Sequence, residues 1–169
     1  SLLQDPVRIL RGVRQAAAFG FGIEKNTREL MKQAAGAIEN VSIERLRDEV
    51  FKMLGGPKAS ASIRALEMLG VLTHLMPELL KMKGVTQSPP HIHDVWTHTL
   101  AVLDQLDNLM TSSLRLDFDP EKTSDMFMGL VSLGVGRYRD EGAGDVADPL
   151  GPSRWRRSLR FFGALCHDV

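Results

Sequence analysis

Asp5 and Arg8, three residues apart near the start of the chain, are the first side chains whose types and spacing suit chemistry. Residues three apart lie on one side of a helix, and Arg11 extends the row by three more positions. A carboxylate beside a guanidinium offers acceptors and donors in one plane, which suits the edge of a nucleobase. The alternative is structural: Asp5 caps a helix that begins at Pro6, and Arg8 is its ion-pair partner.

A second set of reactive residue types consists of His98 and the adjacent pair His167 and Asp168. Imidazole nitrogens and a carboxylate suit a divalent transition metal, whose bound water can attack a phosphoester. The alternative is that these histidines are buried with satisfied hydrogen bonds. Since the chain offers at most three ligands in this pattern, we do not expect tight metal binding.

Helices must position both sets, because apolar residues recur at helical spacing along most of the chain. Alternation typical of a strand never persists for more than a few residues, so the sequence predicts an all-α fold. The first helix begins at Pro6, and the others are expected at about residues 28–39, 43–55, 60–75, 95–109 and 156–168. Asn26 or Thr27 is the expected cap of the second helix. The apolar spacing predicts the buried residues of the second to sixth helices, which are Leu30, Met31, Ala34, Ala37 and Ile38; Ile43, Leu46, Val50 and Met53; Ile63, Leu66, Leu69 and Leu72; Val95, Thr99, Val102, Leu106 and Leu109, flanked by Trp96, Leu100 and Leu103; and Leu159, Phe161, Phe162 and Leu165. Residues 111–157 are rich in glycine and aspartate, which predicts a long flexible insertion with a short helix at 126–133.

Composition excludes several classes of protein. The 169 residues contain one cysteine, so no internal disulfide can form, and a reducing, cytoplasmic setting is expected. No apolar run is long enough to cross a bilayer, which predicts that the chain has no membrane partner. The formal net charge is zero. Neither of the common glycine-rich phosphate-binding motifs is present.

Three motifs in the first half of the chain carry a family resemblance. They are D-P-x-R-x-L-R-x-V-R from Asp5, F-G-F-x-I from Phe19, and V-S-x-E-R-x-x-x-E from Val41. Together they resemble the neck region of bacterial tRNA nucleotidyltransferases, the CCA-adding and poly(A) polymerase family.

The resemblance implies a role for five side chains. Asp5 and Arg8, with Arg11 assisting, would select the base of incoming CTP or ATP. Arg45 and Glu49 would brace the neck, although an ion pair within their own helix is the alternative, because they are four residues apart. The family has glutamate before the aspartate, whereas this chain has Gln4.

The motif H-x-H-D-V-W-T-H-T-L from His91 to Leu100, together with the final His-Asp pair, resembles the first parts of an HD domain. This implies a divalent metal at His98, His167 and Asp168. The spacing between these residues is long for the family, and the last aspartate of the pattern is not in the chain. We therefore expect two regions: residues 1–83 as neck and body, and residues 84–169 as the first part of an HD domain with the insertion at 111–157.

The resulting hypothesis is a fragment of a tRNA nucleotidyltransferase that provides base selection and tRNA binding without the catalytic head. The family's Mg²⁺-binding carboxylates lie on that head, and the implied partners are the tRNA 3′ end, CTP and ATP. Two alternatives come from other classes: an HD phosphohydrolase acting on nucleotides, and a helical RNA-binding module without chemistry. Whether the whole protein is an enzyme, and whether it adds CCA, A or CC, stays open at this point.

Overall fold

The computed structural model describes residues 2–88, 92–110, 149–151 and 154–169. Helices dominate these residues, which confirms the all-α prediction. The elements, in chain order, are α1 (Val7–Phe19), α2 (Lys25–Gln33), the 3-10 segment η1 (Ala35–Asn40), α3 (Ile43–Gly55), α4 (Ala59–Met68), α5 (Leu72–Leu75), α6 (Pro77–Leu80), α7 (Val95–Asn108), β1 (Pro149–Gly151), β2 (Arg154–Trp155) and α8 (Arg156–Leu165). Over the same ranges, no helix has the length and apolar character needed to cross a membrane.

The start of α1 corrects one expectation, because Asp5 does not cap the helix with its side chain. Pro6 is the N-cap residue and already has helical backbone angles, φ −64° and ψ −21°. The main-chain carbonyl of Asp5 accepts from the amide of Arg8 at 3.1 Å, and that of Pro6 accepts from Ile9 at 2.9 Å. The first turn is therefore closed by backbone alone, and the Asp5 carboxylate is available to other side chains.

The turn after α1 depends on glycine. Gly20 has φ +70°, the left-handed conformation that ends many helices. The amide of Phe21 reaches back to the carbonyl of Ala16 at 2.9 Å and closes the end of α1. This turn leaves the rings of Phe19 and Phe21 stacked on each other, with their centroids 5.8 Å apart.

The second predicted helix, residues 28–39, is two elements, α2 and η1. Its cap is Glu24 rather than Asn26 or Thr27, since the Glu24 carboxylate accepts from the Thr27 amide at 2.9 Å. Backbone amides of Asn26 and Thr27 hold the pKa of Glu24 below its ordinary value. Leu30, which we expected to be buried, is 57% exposed, because the break after Gln33 turns the buried face toward Met31 and Ile38.

The helix α3 has its predicted limits, and α4 begins close to its predicted start but ends at Met68 rather than near residue 75. α3 ends at Gly55, as expected, but Ile43 is 76% exposed and lies outside the core. The predicted core line of the next helix is confirmed, with all four of its residues buried: Ile63, Leu66, Leu69 and Leu72. That helix is interrupted at Gly70, whose φ of +74° separates α4 from α5.

Asp94 closes the loop that leads into α7. Its carboxylate accepts from the amides of Thr97 at 3.0 Å and Gly84 at 2.8 Å. A hydrogen bond from the Thr97 side chain has the largest effect on the pKa of Asp94, and with the two amides it lowers that pKa below its ordinary value. The buried face of α7 differs from the prediction, since Val102, Leu106 and Leu109 are only partly covered. Val95 and Thr99 are buried as predicted, and Trp96, Leu100 and Leu103, which flank the predicted stripe, are buried as well, because α4 and α8 both pack against this helix.

The helix α8 joins the end of the chain to the core. It packs against α3 and α7, with Phe161 and Leu165 fully buried, whereas Leu159, expected in the core, is 40% exposed. Phe162 is half-buried and stacks on Phe51 of α3, with 5.5 Å between ring centroids. One connected set of buried side chains therefore runs from α1 to α8.

The predicted insertion falls mostly outside the described residues, and so does its expected helix at 126–133. Within the described part, Pro149–Gly151 pairs antiparallel with Arg154–Trp155, with an irregular register. This short pair corrects the expectation that no strand forms, without changing the fold class. The division into regions at residue 84 stays a prediction.

Candidate functional sites

The Asp5 carboxylate lies between two arginines on different helices. Its Oδ1 accepts a hydrogen bond from Nη2 of Arg45 on α3 at 2.7 Å, and its Oδ2 lies 3.9 Å from Nε of Arg8 on α1. The arginine side chains are 53% and 59% exposed, and the aspartate side chain is 34% exposed. Asp5 and Arg8 therefore lie within ion-pair distance, and Arg45 positions the carboxylate, while their role in base selection stays a prediction.

A second ion cluster joins the same two helices around Glu49. The Glu49 carboxylate is 5% exposed and accepts from Nε of Arg14 at 3.1 Å and Nη2 of Arg11 at 3.4 Å. Nζ of Lys52 lies 3.5 Å from the same carboxylate. A charge buried this deeply is costly unless it is paired, and three cations share it here.

Both pairs cross between helices. Arg45 is bonded to Asp5, and Glu49 to Arg11 and Arg14. The two predicted bracing residues on α3 thus contact the start of the chain, Arg45 at Asp5 just before α1 and Glu49 at Arg11 and Arg14 on α1. Sequence reasoning assigned no role to Arg14, although its position three residues after Arg11 placed it in the same row.

The helices α7 and α8 bring His98, His167 and Asp168 together. One ligand atom from each residue lies within 4.8 Å of the other two, and the imidazole centroids are 5.7 Å apart. His98 and the His167–Asp168 pair are farther apart in the sequence than the residues of any other predicted site. The packing of Leu165 and Phe161 into the core fixes the position of the pair that follows them.

The hydrogen bonds of His167 orient it as a ligand. Its Nδ1 lies 2.8 Å from the carbonyl of Ala164, which can only accept, so Nδ1 carries the proton in the neutral ring. Nε2, which is unprotonated in that neutral ring, lies 3.1 Å from Oδ2 of Asp168, and a protonated ring would form an ion pair there. That oxygen is buried and has no hydrogen-bond partner among the described residues. Two lone pairs facing each other are stabilised by a cation or proton between them, so the three side chains fit a divalent metal.

A small pocket adjoins this cluster. It has a volume of about 300 Å³, and Asp168 forms part of its wall. Its other lining residues are Glu78, Lys81, Met82, Val85, Val95 and Val169. A ligand in this pocket would reach the Asp168 carboxylate from the side of α6.

Comparison with known proteins connects this architecture to a family. Residues 20–83 match the family model described as "Probable RNA and SrmB- binding site of polymerase A". The chain is 36% identical over 156 residues to the CC-adding tRNA nucleotidyltransferase of Thermus thermophilus, which covers 80% of this chain and 36% of that protein. It is 35% identical over 111 residues to the A-adding tRNA nucleotidyltransferase of Deinococcus radiodurans, over 63% of this chain and 26% of that protein.

A third relative matches nearly the whole chain. The Multifunctional CCA protein of Methylococcus capsulatus is 39% identical over 186 residues, covering 97% of this chain and 42% of that protein. The helical fold and the matched segment place the chain in the class of polymerase RNA-binding regions. More particularly, the chain belongs to the tRNA nucleotidyltransferase family, and it spans less than half the length of each of these three relatives.

Proposed function

We propose that this chain is the base-selecting and tRNA-binding part of an enzyme that adds nucleotides to the 3′ end of tRNA. The observation that carries the proposal is the Asp5 carboxylate held 2.7 Å from Arg45, with Arg8 beside it at the open end of α1. The family match over residues 20–83 and the relatives named for tRNA nucleotide addition support it.

The chemistry of the pair suits the two expected nucleotides. Cytosine and adenine each carry an amino donor next to a ring nitrogen that accepts. The Asp5 carboxylate would accept from the amino group, and the Arg8 guanidinium would donate to the ring nitrogen. Uracil and guanine present a carbonyl where the amino group would be, and a carboxylate repels it. The pair would thus admit CTP and ATP and reject UTP and GTP.

The transfer step itself needs further groups. Two Mg²⁺ ions held by carboxylates would stabilise the attacking and leaving oxygens of the transferred phosphate. We assign those carboxylates to a head domain, as the family resemblance implies, and no residue of this chain to the step. The relatives named for CC addition, A addition and multifunctional CCA activity have similar identities to the chain, so identity does not favour one product.

The test is a pair of substitutions in the intact enzyme. Arg8→Ala should reduce the preference for CTP and ATP over UTP and GTP about tenfold or more, with little change in tRNA affinity, because one charge-assisted hydrogen bond to the base is lost. Arg45→Ala should act in the same direction but more weakly, since it only releases Asp5. Arg47→Ala is the matched control, because Arg47 pairs with its neighbour Asp48. Unchanged selection in Arg8→Ala would reject the template role.

A second candidate function is supported by the His98, His167 and Asp168 cluster. Bound to this set, a divalent metal would supply a water nucleophile for phosphoester hydrolysis. The imidazoles and the buried Asp168 oxygen would hold the metal, and the Ala164 carbonyl would keep His167 in the ligand tautomer. Phosphatase activity that His167→Ala abolishes in the intact chain would favour this HD hydrolase.

A third candidate is an RNA-binding module without chemistry. Residues 1–58 contain ten Lys or Arg against seven Asp or Glu, an excess of three positive charges. Binding of tRNA that weakens steeply with salt, together with neither nucleotide addition nor phosphatase activity by the intact protein, would favour this module.

A further inference from the structure

A groove of about 650 Å³ lies between the C-terminal half of α1, the helix α2 and α4. Most of its floor is apolar and built of small residues, including Ala16, Ala17, Ala61 and Ala65. Its volume is within the range of ordinary ligand sites, about 300–1,000 Å³. Ala17 and Asp5 are twelve residues apart along α1, or roughly 18 Å, so the groove is separate from the base-selecting pair.

An exposed aromatic pair stands at one side of this groove. Phe21 lines it, and Phe19 stacks on Phe21 with the rings 28° from parallel. Phe19 is 68% exposed and Phe21 is 71% exposed. Two large aromatic rings held parallel in solvent bury little apolar surface in the protein itself. They form a stacking platform of the kind that binds unpaired bases.

Part of the groove lining is cationic. Lys25, Arg28 and Lys32 line it from α2, where their spacing of three and four places them on one face. The acidic residue among the lining side chains, Glu29, is paired with Lys32 at 3.2 Å. Within the described ranges, Lys25 and Arg28 form no salt bridge, although the Asn26 and Thr27 amides and, to a smaller extent, the charge of Arg28 lower the pKa of Glu24. Both side chains line the groove.

The N-terminus of α2 does not provide the positive charge. Glu24 caps it, and its carboxylate accepts from the Thr27 amide. An anion in the groove would therefore be held by the lysine and arginine side chains rather than by helix amides. These cations line the same groove as Phe21, so one cavity offers both a stacking surface for a base and positive charge for a phosphate.

We propose that this groove binds one unpaired nucleotide of the RNA substrate, with the base stacked on Phe21 and a phosphate contacting Lys25 and Arg28. The proposal rests on the RNA-binding function proposed above and deepens it. An apolar peptide would use the alanine floor, but it would not need a cationic wall. The combination of stacked rings and cations favours a nucleotide.

The test measures the affinity of the intact protein for two RNAs: a hairpin with a single-stranded 3′ overhang and the same hairpin with a blunt end. Phe21→Ala should weaken binding of the overhang RNA about tenfold, the effect typical of losing one base–aromatic stack, and leave the blunt RNA unchanged. Phe21→Trp should keep the affinity, and its added tryptophan fluorescence should be quenched by the overhang RNA. Arg28→Gln should lower the affinity for the overhang RNA and reduce the salt dependence of that binding.

Leu30→Ala and Arg47→Gln are the matched controls, because each removes an exposed side chain of the same character outside the groove. Both should bind the overhang RNA as the wild type does. Equal losses for blunt and overhang RNA in Phe21→Ala would overturn the single-nucleotide site. Unchanged overhang binding in that variant would also overturn it and assign the face to a protein partner. If the wild type bound neither RNA, the proposed RNA-binding function itself would fail, which is a different result.

Discussion

Glu49 on α3 accepts a hydrogen bond from Arg14 on α1 at 3.1 Å, and its carboxylate is almost completely buried. With the Arg11–Glu49 and Asp5–Arg45 contacts, three ion pairs fasten α3 to α1 and to Asp5 just before it, with their charges reversed. In the Asp5–Arg45 pair the carboxylate lies just before α1, and in the other two it belongs to Glu49 of α3. This arrangement fixes how α1 is rotated and therefore which way Asp5 and Arg8 point.

The first prediction concerns that fastening. Glu49→Gln should lower the free energy of unfolding by about 2 kcal/mol, because three cations lose the buried charge that they share. The loss is moderate since Arg11, Arg14 and Lys52 can each still reach water. Urea denaturation followed by circular dichroism measures it. Glu44→Gln, an exposed carboxylate of the same helix, should change the free energy by about 0.5 kcal/mol or less. Equal effects of the two variants would contradict the buried clamp.

Much of the fold could be predicted because it depends on local chemistry. Glycine ends α1 and α3, and the core line of α4 and α5 follows from the spacing of Ile63, Leu66, Leu69 and Leu72. The family motifs also indicated Asp5, Arg45 and Glu49 as residues of one region. What they did not show was the pairing, since Asp5 and Arg45 meet only where α1 crosses α3.

The expectations that were wrong depend on packing between distant segments. The buried face of α7 is set by α8 and α4, and periodicity alone centred it on Val102 and Leu106. Similarly, Asp5 had the right type and position for a helix cap, but Arg45 supplies a charged partner. A cap hydrogen bond and a cross-helix ion pair compete for one carboxylate. The local sequence predicts the cap, but it does not predict the ion pair with a residue forty positions away.

The second prediction concerns the close approach of α3 and α8. A Cβ added to Gly55 would lie less than 3.0 Å from Oγ of Ser158, so Gly55→Ala should destabilise the protein. The Ser158 hydroxyl is buried with no hydrogen-bond partner in the described residues, so Ser158→Ala should cost little alone and should rescue Gly55→Ala. Gly163→Ala, where a Cβ meets nothing within 4 Å, should instead stabilise the protein by about 0.5–1 kcal/mol. Thermal unfolding of the four variants measures these effects, and additive losses would disprove the contact.

The third prediction is a pH dependence at the start of α7. The pKa of Asp94 is lowered in the folded protein by the Thr97 side chain and by the amides of Gly84 and Thr97. A depressed folded pKa gives stability above the unfolded pKa, about 3.9, and this stability is lost as the pH falls through the folded value. Asp94→Asn keeps a capping side chain but removes this titration. The wild type should exceed the variant in unfolding midpoint at pH 6, and the difference should shrink below about pH 4. A difference that is constant with pH would refute the role of the charge.

The last prediction concerns the histidine cluster. Zn²⁺ added to the intact protein should bind at His98, His167 and Asp168, whose ligand atoms lie within 4.8 Å of one another. Binding should raise the unfolding temperature, because the metal binds the folded site and not the unfolded chain. His167→Ala should remove one equivalent of bound Zn²⁺ in calorimetric titration. His74→Ala is the control, since His74 pairs with Glu39 at 2.7 Å on a different part of the molecule. If His167→Ala bound as much Zn²⁺ as the control, the cluster would instead be a hydrogen-bonded end of α8 that positions the pocket beside Asp168.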